Sequence, residues 1–316
     1  MKQLELNNRK VAVIGCGFVG ATSAFGLMQS GLFSEMVLID ANTEKAEGEA
    51  MDISHGIPFA RPMKIYAGGY DDIMDAAIIV VTAGANQKPG ETSLDLVQKN
   101  VGIFKSIIPE IAKRDYQGIL LIVSNPVDIL TYTAHKLSGM PENRVIGSGT
   151  VLDTARLKYE LGEHLGVDSR SVHAFIIGEH GDSEIAAWSS ANVSGIPLNT
   201  FCEMRGHFNH DDSMERIAAN VRNSAYEIIA KKNATYYGIA MSVKRICEAI
   251  VRDEKSILPV SMIHGMYGVE DVVLSMPAIV GKNGIERQVP ISLDEDEQKQ
   301  LQKSAQILKE MAEQVL

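Results

Sequence analysis

The stretch VAVIGCGFVGA, residues 11–21, decides the fold. A short run of β-branched and apolar residues enters a turn containing Gly15, Gly17 and Gly20, and a helical pattern follows at once. Glycines at this spacing permit the tight turn, let the backbone approach a pyrophosphate, and allow close helix–strand packing, while the helix start supplies N–H groups and a positive dipole. Alone the spacing is weak. Here the strand-turn-helix setting is present, and a second strand-like run, MVLID, ends on Asp40, roughly 20 residues on, where an acid would hydrogen-bond a ribose 2′-OH. Such a carboxylate would repel a 2′-phosphate, so NAD is expected rather than NADP. A glycine turn with a solvated aspartate is the plain alternative. FAD uses the same fingerprint but would be expected to take up more of the chain.

Outward from that turn, KVAVIG, MVLID, MKIYAG, AAIIVVTAG, GILLIVSNP and RVIGSG alternate with helical patterns. Six buried-looking strands separated by helices predict an α/β fold with a doubly wound, mostly parallel sheet of the Rossmann type, because parallel neighbours need crossover helices. The apolar stripe Leu94, Val97, Val101, Phe104 and Ile108 reads as the core face of a helix that starts at Leu94. The rhythm changes after about Gly149. Long helices, including one from about Asp211 to Arg252 interrupted near KKNATYYG, are followed by the strand-like runs VVLSMPAIVG and IERQVP around an Asn283-Gly284 hairpin signal. The last helix reads as opening with a Ser292–Glu295 capping box. The expected division is a dinucleotide-binding domain over 1–149 and an α+β substrate domain over 150–316.

A length of 316 residues fits two domains, and 45% apolar with 22% charged residues is ordinary globular composition. The polar start MKQLELNNRK and the short apolar run after it resemble neither a signal peptide nor a membrane span, so a cytoplasmic location is expected. A formal charge of −10 opposes nucleic acid or an anionic membrane as partner. Three scattered cysteines, Cys16, Cys202 and Cys247, suggest neither a disulfide framework nor a zinc cage, and no metal is expected.

The candidate chemistry sits in AFIIGEHGDSE, which brings His180 from a strand end into a Gly-flanked polar loop. A neutral imidazole accepts a hydroxyl proton near pH 7, and a carboxylate beside it would fix its tautomer. Asp153 in VLDTARLK is a candidate partner, three residues before Arg156 and on the same helical face. Arg156, facing the same pocket, would clamp a carboxylate with its planar fork. A structural histidine and an ion pair within one helix remain the alternative.

Taken together, GCGFVG, TAGANQKPGET, SNPVDILTY, VIGSGTVLDTARL, GEHGD and KKNATYYG resemble the lactate/malate dehydrogenase family, in family order and over essentially the whole chain. The resemblance implies hydride transfer between NADH and pyruvate to give L-lactate, with His180 exchanging the proton, Asp153 as its partner, and Arg156 holding the substrate carboxylate. It further implies Asn125 near nicotinamide and substrate, Thr235 lining the substrate pocket, and Thr82 and Gly84 beside the cofactor. Residues 84–94 become a lid that excludes water. On that lid Gln87 would suit the methyl end of pyruvate, where malate-specific relatives carry arginine. Ser93 stands where the family has a lid arginine that polarises the substrate carbonyl. Locally Ser93 reads as the N-cap of the following helix. Neutral Ser93 cannot supply the arginine's charge, and Lys88 is not assumed to replace it, so a reduced rate is expected. The resemblance also implies a homotetramer, and a fructose 1,6-bisphosphate site at Lys158 and His173 as in some bacterial relatives. A malate or other 2-hydroxyacid dehydrogenase, and a catalytically silent NAD-binding oligomer, are the alternatives.

Overall fold

The first half of the chain alternates strictly: β1 (Asn7–Ile14), α1 (Phe18–Ser30), β2 (Glu35–Ile39), α2 (Thr43–His55), β3 (Lys64–Ala67), β4 (Ala76–Val81), α3 (Ser93–Ala112), β5 (Ile119–Ile122), α4 (Val127–Ser138) and β6 (Val145–Gly147). This is a computed structural model, and it describes residues 6–85 and 92–315. The strands lie in the order β3-β2-β1-β4-β5-β6, all parallel. β1 is buried from Lys10 to Ile14, as a strand covered on both faces must be. Its one charge, Lys10, is paired with Asp75 at 2.7 Å and Glu35 at 3.3 Å, which offsets the cost of burying an ammonium. The strand order reverses between β1 and β4, and a cleft outside the carboxyl ends of strands at such a point is where ligands bind in open α/β sheets.

The second half adds α5 (Val151–Leu165), β7 (Val172–His173), β8 (Ile176–Ile177), β9 (Ile185–Ala186), β10 (Asn192–Val193), β11 (Ile196–Pro197), α6 (Leu198–Met204), α7 (His210–Lys232), α8 (Tyr237–Val251), β12 (Ser256–Met266), β13 (Val269–Gly281), β14 (Gly284–Gln288) and α9 (Glu295–Val315). The antiparallel run β12-β13-β14 continues the large sheet beyond β6, making nine strands, with Ser261 of β12 opposite Gly147 of β6. A second apolar core, including Leu157, Leu161, Val172, Ile217 and Val221, lies among α5, α7 and the small sheet β11-β10-β7. Among the described residues, no helix is long and apolar enough to cross a membrane.

Three local expectations change. β12 is a strand outside the expected set; Pro259 and Gly265 disfavour a strand in SILPVSMIHGM, but pairing along β13 holds it. The cap of α3 is Thr92, not Ser93: Thr92 accepts from the Asp95 N–H, while the Asp95 carboxylate accepts the Thr92 N–H at 2.9 Å. Ser93 is the first helical residue, and Leu94, expected on the core stripe, is exposed. The cap of α9 also differs, lying two residues later than expected. Asp294 accepts the Glu297 N–H at 2.8 Å, and Glu297 returns the contact to the Asp294 N–H at 2.9 Å, so Ser292–Glu295 is not the box.

Exchanging Asp294 for alanine should therefore cost about 1 kcal/mol of stability, whereas Ser292→Ala should leave the urea midpoint nearly unchanged. Equal losses in the two variants would contradict the cap assignment.

Candidate active site

β1 ends against a backbone cradle. Gly15 has φ +101°, a region that favours glycine, and a Cβ added at Gly20 would lie 1.8 Å from the Gly15 carbonyl oxygen. A Cβ at Gly17 would meet nothing within 4 Å, so that backbone faces open space. Thr82, at the end of β4, donates its hydroxyl to the Gly15 carbonyl at 2.6 Å, tying the two strand ends on either side of the reversal. Gly84 continues from Thr82, and the next residue is braced by Asn100, whose side-chain oxygen accepts the Ala85 N–H at 2.8 Å and whose amide donates to the Asn125 carbonyl at 2.8 Å. Asp40 accepts the N–H groups of Cys16 at 2.6 Å and Asn42 at 2.9 Å, which fixes its carboxylate beside the turn. The glycine turn, Thr82 and Asp40 thus form one site. It fits a dinucleotide: a pyrophosphate would lie on the open backbone at the start of α1, and the ribose hydroxyls on Asp40. Burial, with the Asp40 charge, pushes the Cys16 thiol up to about 12, which keeps thiolate chemistry out of this turn.

A cleft of about 810 Å³ contains Asn125, Asp153, Arg156 and His180 together. Asp153 and Arg156 come from the first turns of α5, and His180 from the loop between β8 and β9. The His180 Nδ1 is 2.5 Å from Asp153 Oδ2, and Arg156 donates to Asp153 Oδ1 at 2.8 Å. The Asp153 side chain is 3% exposed, so both oxygens depend on these partners. Burial alone would raise its pKa, but His180 and Arg156 outweigh burial and hold it below the usual value. For His180, burial disfavours the imidazolium; the Asp153 charge and hydrogen bond, helped by Asp128 and Glu184, nevertheless carry it up from 6.5 to about 9. With Nδ1 committed to Asp153, Nε2 is the nitrogen left to exchange a proton with a ligand.

Two carboxyl groups at this site gave no sequence signal. Glu184 is buried in the cleft wall, and desolvation, then the Asp153 charge, push it up to about 8. Asp128, in the first turn of α4, accepts the His180 N–H at 2.8 Å. Only SNPVD and GEHGDSE, in which these acids follow Asn125 and His180 closely, could have drawn attention to them.

Other expected residues lie apart. Thr235 is in the connection between α7 and α8 and is not among the residues lining the cleft. Lys158 on α5 is half-buried, its pKa lowered by burial, and it makes no ion pair among the described residues; His173 on β7 is exposed. Gln87, Lys88 and the Ser93 side chain fall outside the described residues.

Comparison with known proteins gives one family throughout. Residues 9–147 match the NAD binding domain of lactate/malate dehydrogenase, and residues 150–316 match its alpha/beta C-terminal domain. The L-lactate dehydrogenase of Acetivibrio thermocellus is 56% identical over 304 residues, covering 96% of each chain. Among solved structures, a lactate dehydrogenase from a Medee basin deep-sea metagenome library superposes with a TM-score of 0.95 at 47% identity, covering 98% of this chain and 99% of the other. The minor L-lactate dehydrogenase of Enterococcus mundtii in its ligands-bound form gives 0.94 at 44% identity, covering 98% of both chains.

The raised His180 pKa stabilises the fold fully below pH 6.5, and that contribution is lost as pH rises through about 9. Urea midpoints of the native protein should therefore fall across this window from the His180 contribution, and in Asp153→Asn the fall should move to lower pH. Identical pH profiles for the two proteins would show that Asp153 does not set the His180 pKa.

Proposed function

The chain belongs to the lactate/malate dehydrogenase family, and from that premise we propose that it is a cytoplasmic, NAD-dependent L-lactate dehydrogenase interconverting pyruvate and L-lactate. The observation that carries the chemistry is the His180–Asp153 hydrogen bond beside Arg156. Bound NAD(H) supplies or accepts the hydride. The protein's part is to hold the 2-oxo acid and move a proton. Arg156, with one nitrogen on Asp153, clamps the substrate carboxylate with the rest of its fork. In reduction, protonated His180 gives its Nε2 proton to the carbonyl oxygen as alcohol forms; in oxidation, neutral His180 takes that proton back. Asp153 holds the ring in the useful tautomer and stabilises its cation. A pKa near 9 keeps the proton in place at neutral pH, which suits reduction of pyruvate.

The same reading gives residues 1–149 to the dinucleotide, residues 150–316 to the substrate, and Asn125 and Thr235 to the substrate side. The segment 84–94 is the lid. Gln87 on it meets the methyl end of pyruvate; an oxaloacetate carboxylate there would be buried without a cation, which disfavours malate. Ser93 leaves the lid without the family's charged donor to the developing oxyanion. Losing one such donor costs on the order of 10²–10³-fold in rate, with ground-state cofactor binding little affected.

Regulation belongs to the reading as well. Lys158 has no competing acid among the described residues, which leaves it available to a phosphate at a subunit interface of a homotetramer, together with His173. Lysine lacks the bidentate fork of arginine, so the site would bind fructose 1,6-bisphosphate weakly.

In single turnovers of NADH-loaded protein mixed with pyruvate, Ser93→Arg should be faster by about 10²–10³-fold with an unchanged NADH dissociation constant. Equal rates would reject the lid account, and no turnover by either protein would favour a silent NAD-binding oligomer. Light scattering should give a tetramer, and fructose 1,6-bisphosphate should shift pyruvate saturation to lower concentration in the native protein but not in Lys158→Ala/His173→Ala. A monomer, or no shift, removes the regulatory part.

A further inference from the structure

The loop that carries His180 is held by a buried acid to which the proposed function gives no role. Asp128 is 2% exposed. Its Oδ2 accepts the His180 main-chain N–H at 2.8 Å, and its Oδ1 accepts the Ser261 hydroxyl of β12 at 2.5 Å. The Ser261 hydroxyl lies 3.1 Å from that of Ser275 on β13, which in turn accepts the Thr150 N–H at the start of α5, also at 3.1 Å. The Ser275 backbone exchanges both hydrogen bonds with Gly178, at 2.9 and 2.8 Å, two residues before His180. One buried polar network therefore joins the two segments that must meet for the His180–Asp153 bond to form: the His180 loop and the first turn of α5.

We propose that Asp128 is a positioning residue for His180, holding the histidine main chain against α4 and placing a second negative charge behind the imidazole. The proposal rests on the reading of His180 as the proton-exchanging group. Its site at the start of α4 suits an anion, since the helix dipole and free N–H groups favour negative charge there. Burial pushes the Asp128 carboxyl up to about 6, opposed by the Ser261 and His180 hydrogen bonds, so it is largely ionised at neutral pH. Among the described residues, charged groups face the pair from several elements. Asp153 and Arg156 come from α5, Glu179 and Glu184 from the histidine's own loop, and Arg222 of α7 and Lys303 of α9 line the same cleft. Across a hollow behind Asp128 stand Asp271 on β13 and Lys309 and Glu313 on α9. A merely structural Asp128 could lose its charge without moving the His180 pKa; an Asp128 that also tunes the imidazole could not.

Asp128→Asn separates these roles, because an amide can still accept from the His180 N–H while the charge is gone. In the ligand-free protein, followed by NMR and assigned with a His180→Asn control, the His180 pKa should fall by on the order of one pH unit in Asp128→Asn. The His180 amide should keep its hydrogen-exchange protection in Asp128→Asn and lose it in Asp128→Ala. In turnover, the alkaline limb of kcat/KM for pyruvate should move down with the pKa in Asp128→Asn. An unmoved His180 pKa in Asp128→Asn would overturn the proposal. If Asp128→Asn does not fold, Ser261→Ala, which keeps the charge and removes one of its two anchors, should speed His180 amide exchange while the imidazole pKa stays raised; unchanged exchange would overturn it. The NMR titration needs neither cofactor nor substrate, so a protein that shows the shift but turns over no pyruvate would refute the proposed activity and leave the Asp128 placement supported.

Discussion

A carboxylate at Asp153, almost wholly withdrawn from water, must be satisfied by two cationic partners from different places in the chain. Arg156 is supplied locally, one helical turn away on α5, but His180 lies 27 residues further on. Removing one partner of a buried pair leaves an uncompensated charge, which is typically worse than never having formed the pair. The structure around the site is accordingly devoted to bringing β8 and the start of α5 together. Thr150 donates its hydroxyl to the Ile176 carbonyl at 2.6 Å, and Gly178 is bridged to Ser275. The antiparallel extension β12-β13 is the platform on which both segments rest.

That dependence explains what could be read from the sequence and what could not. Strands β1 to β6 announced themselves through β-branched runs bounded by turns, and the dinucleotide cradle through three glycines whose need is steric and local. His180, Asp153 and Arg156 were legible because two of them share a helix face and the third sits in a glycine-flanked loop. β12 was not, since its pairing rather than its composition makes it a strand. Asp128 and Glu184 were not, since what marks them is burial beside groups distant in sequence: Ser261 is 133 residues from Asp128. The two caps failed for another reason. Thr92 and Ser93, or Ser292 and Asp294, are near-equal local candidates. Thr92 prevails because Asp95 answers it at N3, and Asp294 because Glu297 answers it and also accepts the Ser189 N–H at 3.0 Å. Reciprocal bonds and tertiary contacts break the tie.

The proposed division of labour between body and lid follows from the same electrostatics. The charges of Asp128 and Asp153 sit on α4 and α5, and the His180 loop is tied to them and to β13 by buried hydrogen bonds. A lid, by contrast, can contribute only what it brings on closing. A change at the lid tip can thus alter the transition state while leaving the buried ion pair, and with it the stability of the fold, untouched. On the proposed reading of the lid, that is a physical reason why Ser93 can coexist with an intact His180, Asp153 and Arg156.

The protonation states of the three acids around the histidine complete the argument. Asp153 is held charged, Asp128 is pushed up only to about 6, and Glu184 is pushed up to about 8. Near neutral pH, then, Glu184 is mostly a neutral acid while the other two are anions. Environments that push neighbouring carboxyls apart assign them different work. The anions support the imidazolium. Glu184 feels the charges of Arg222 and Arg156 and lines the same cleft as both. Held mostly neutral by burial and by the Asp153 charge, it adds little negative charge beside the Arg156 that the proposed function gives to the substrate carboxylate. On the proposed function, rising pH then adds the Glu184 charge at about 8 and removes the His180 proton at about 9, and both changes oppose carboxylate binding and carbonyl reduction.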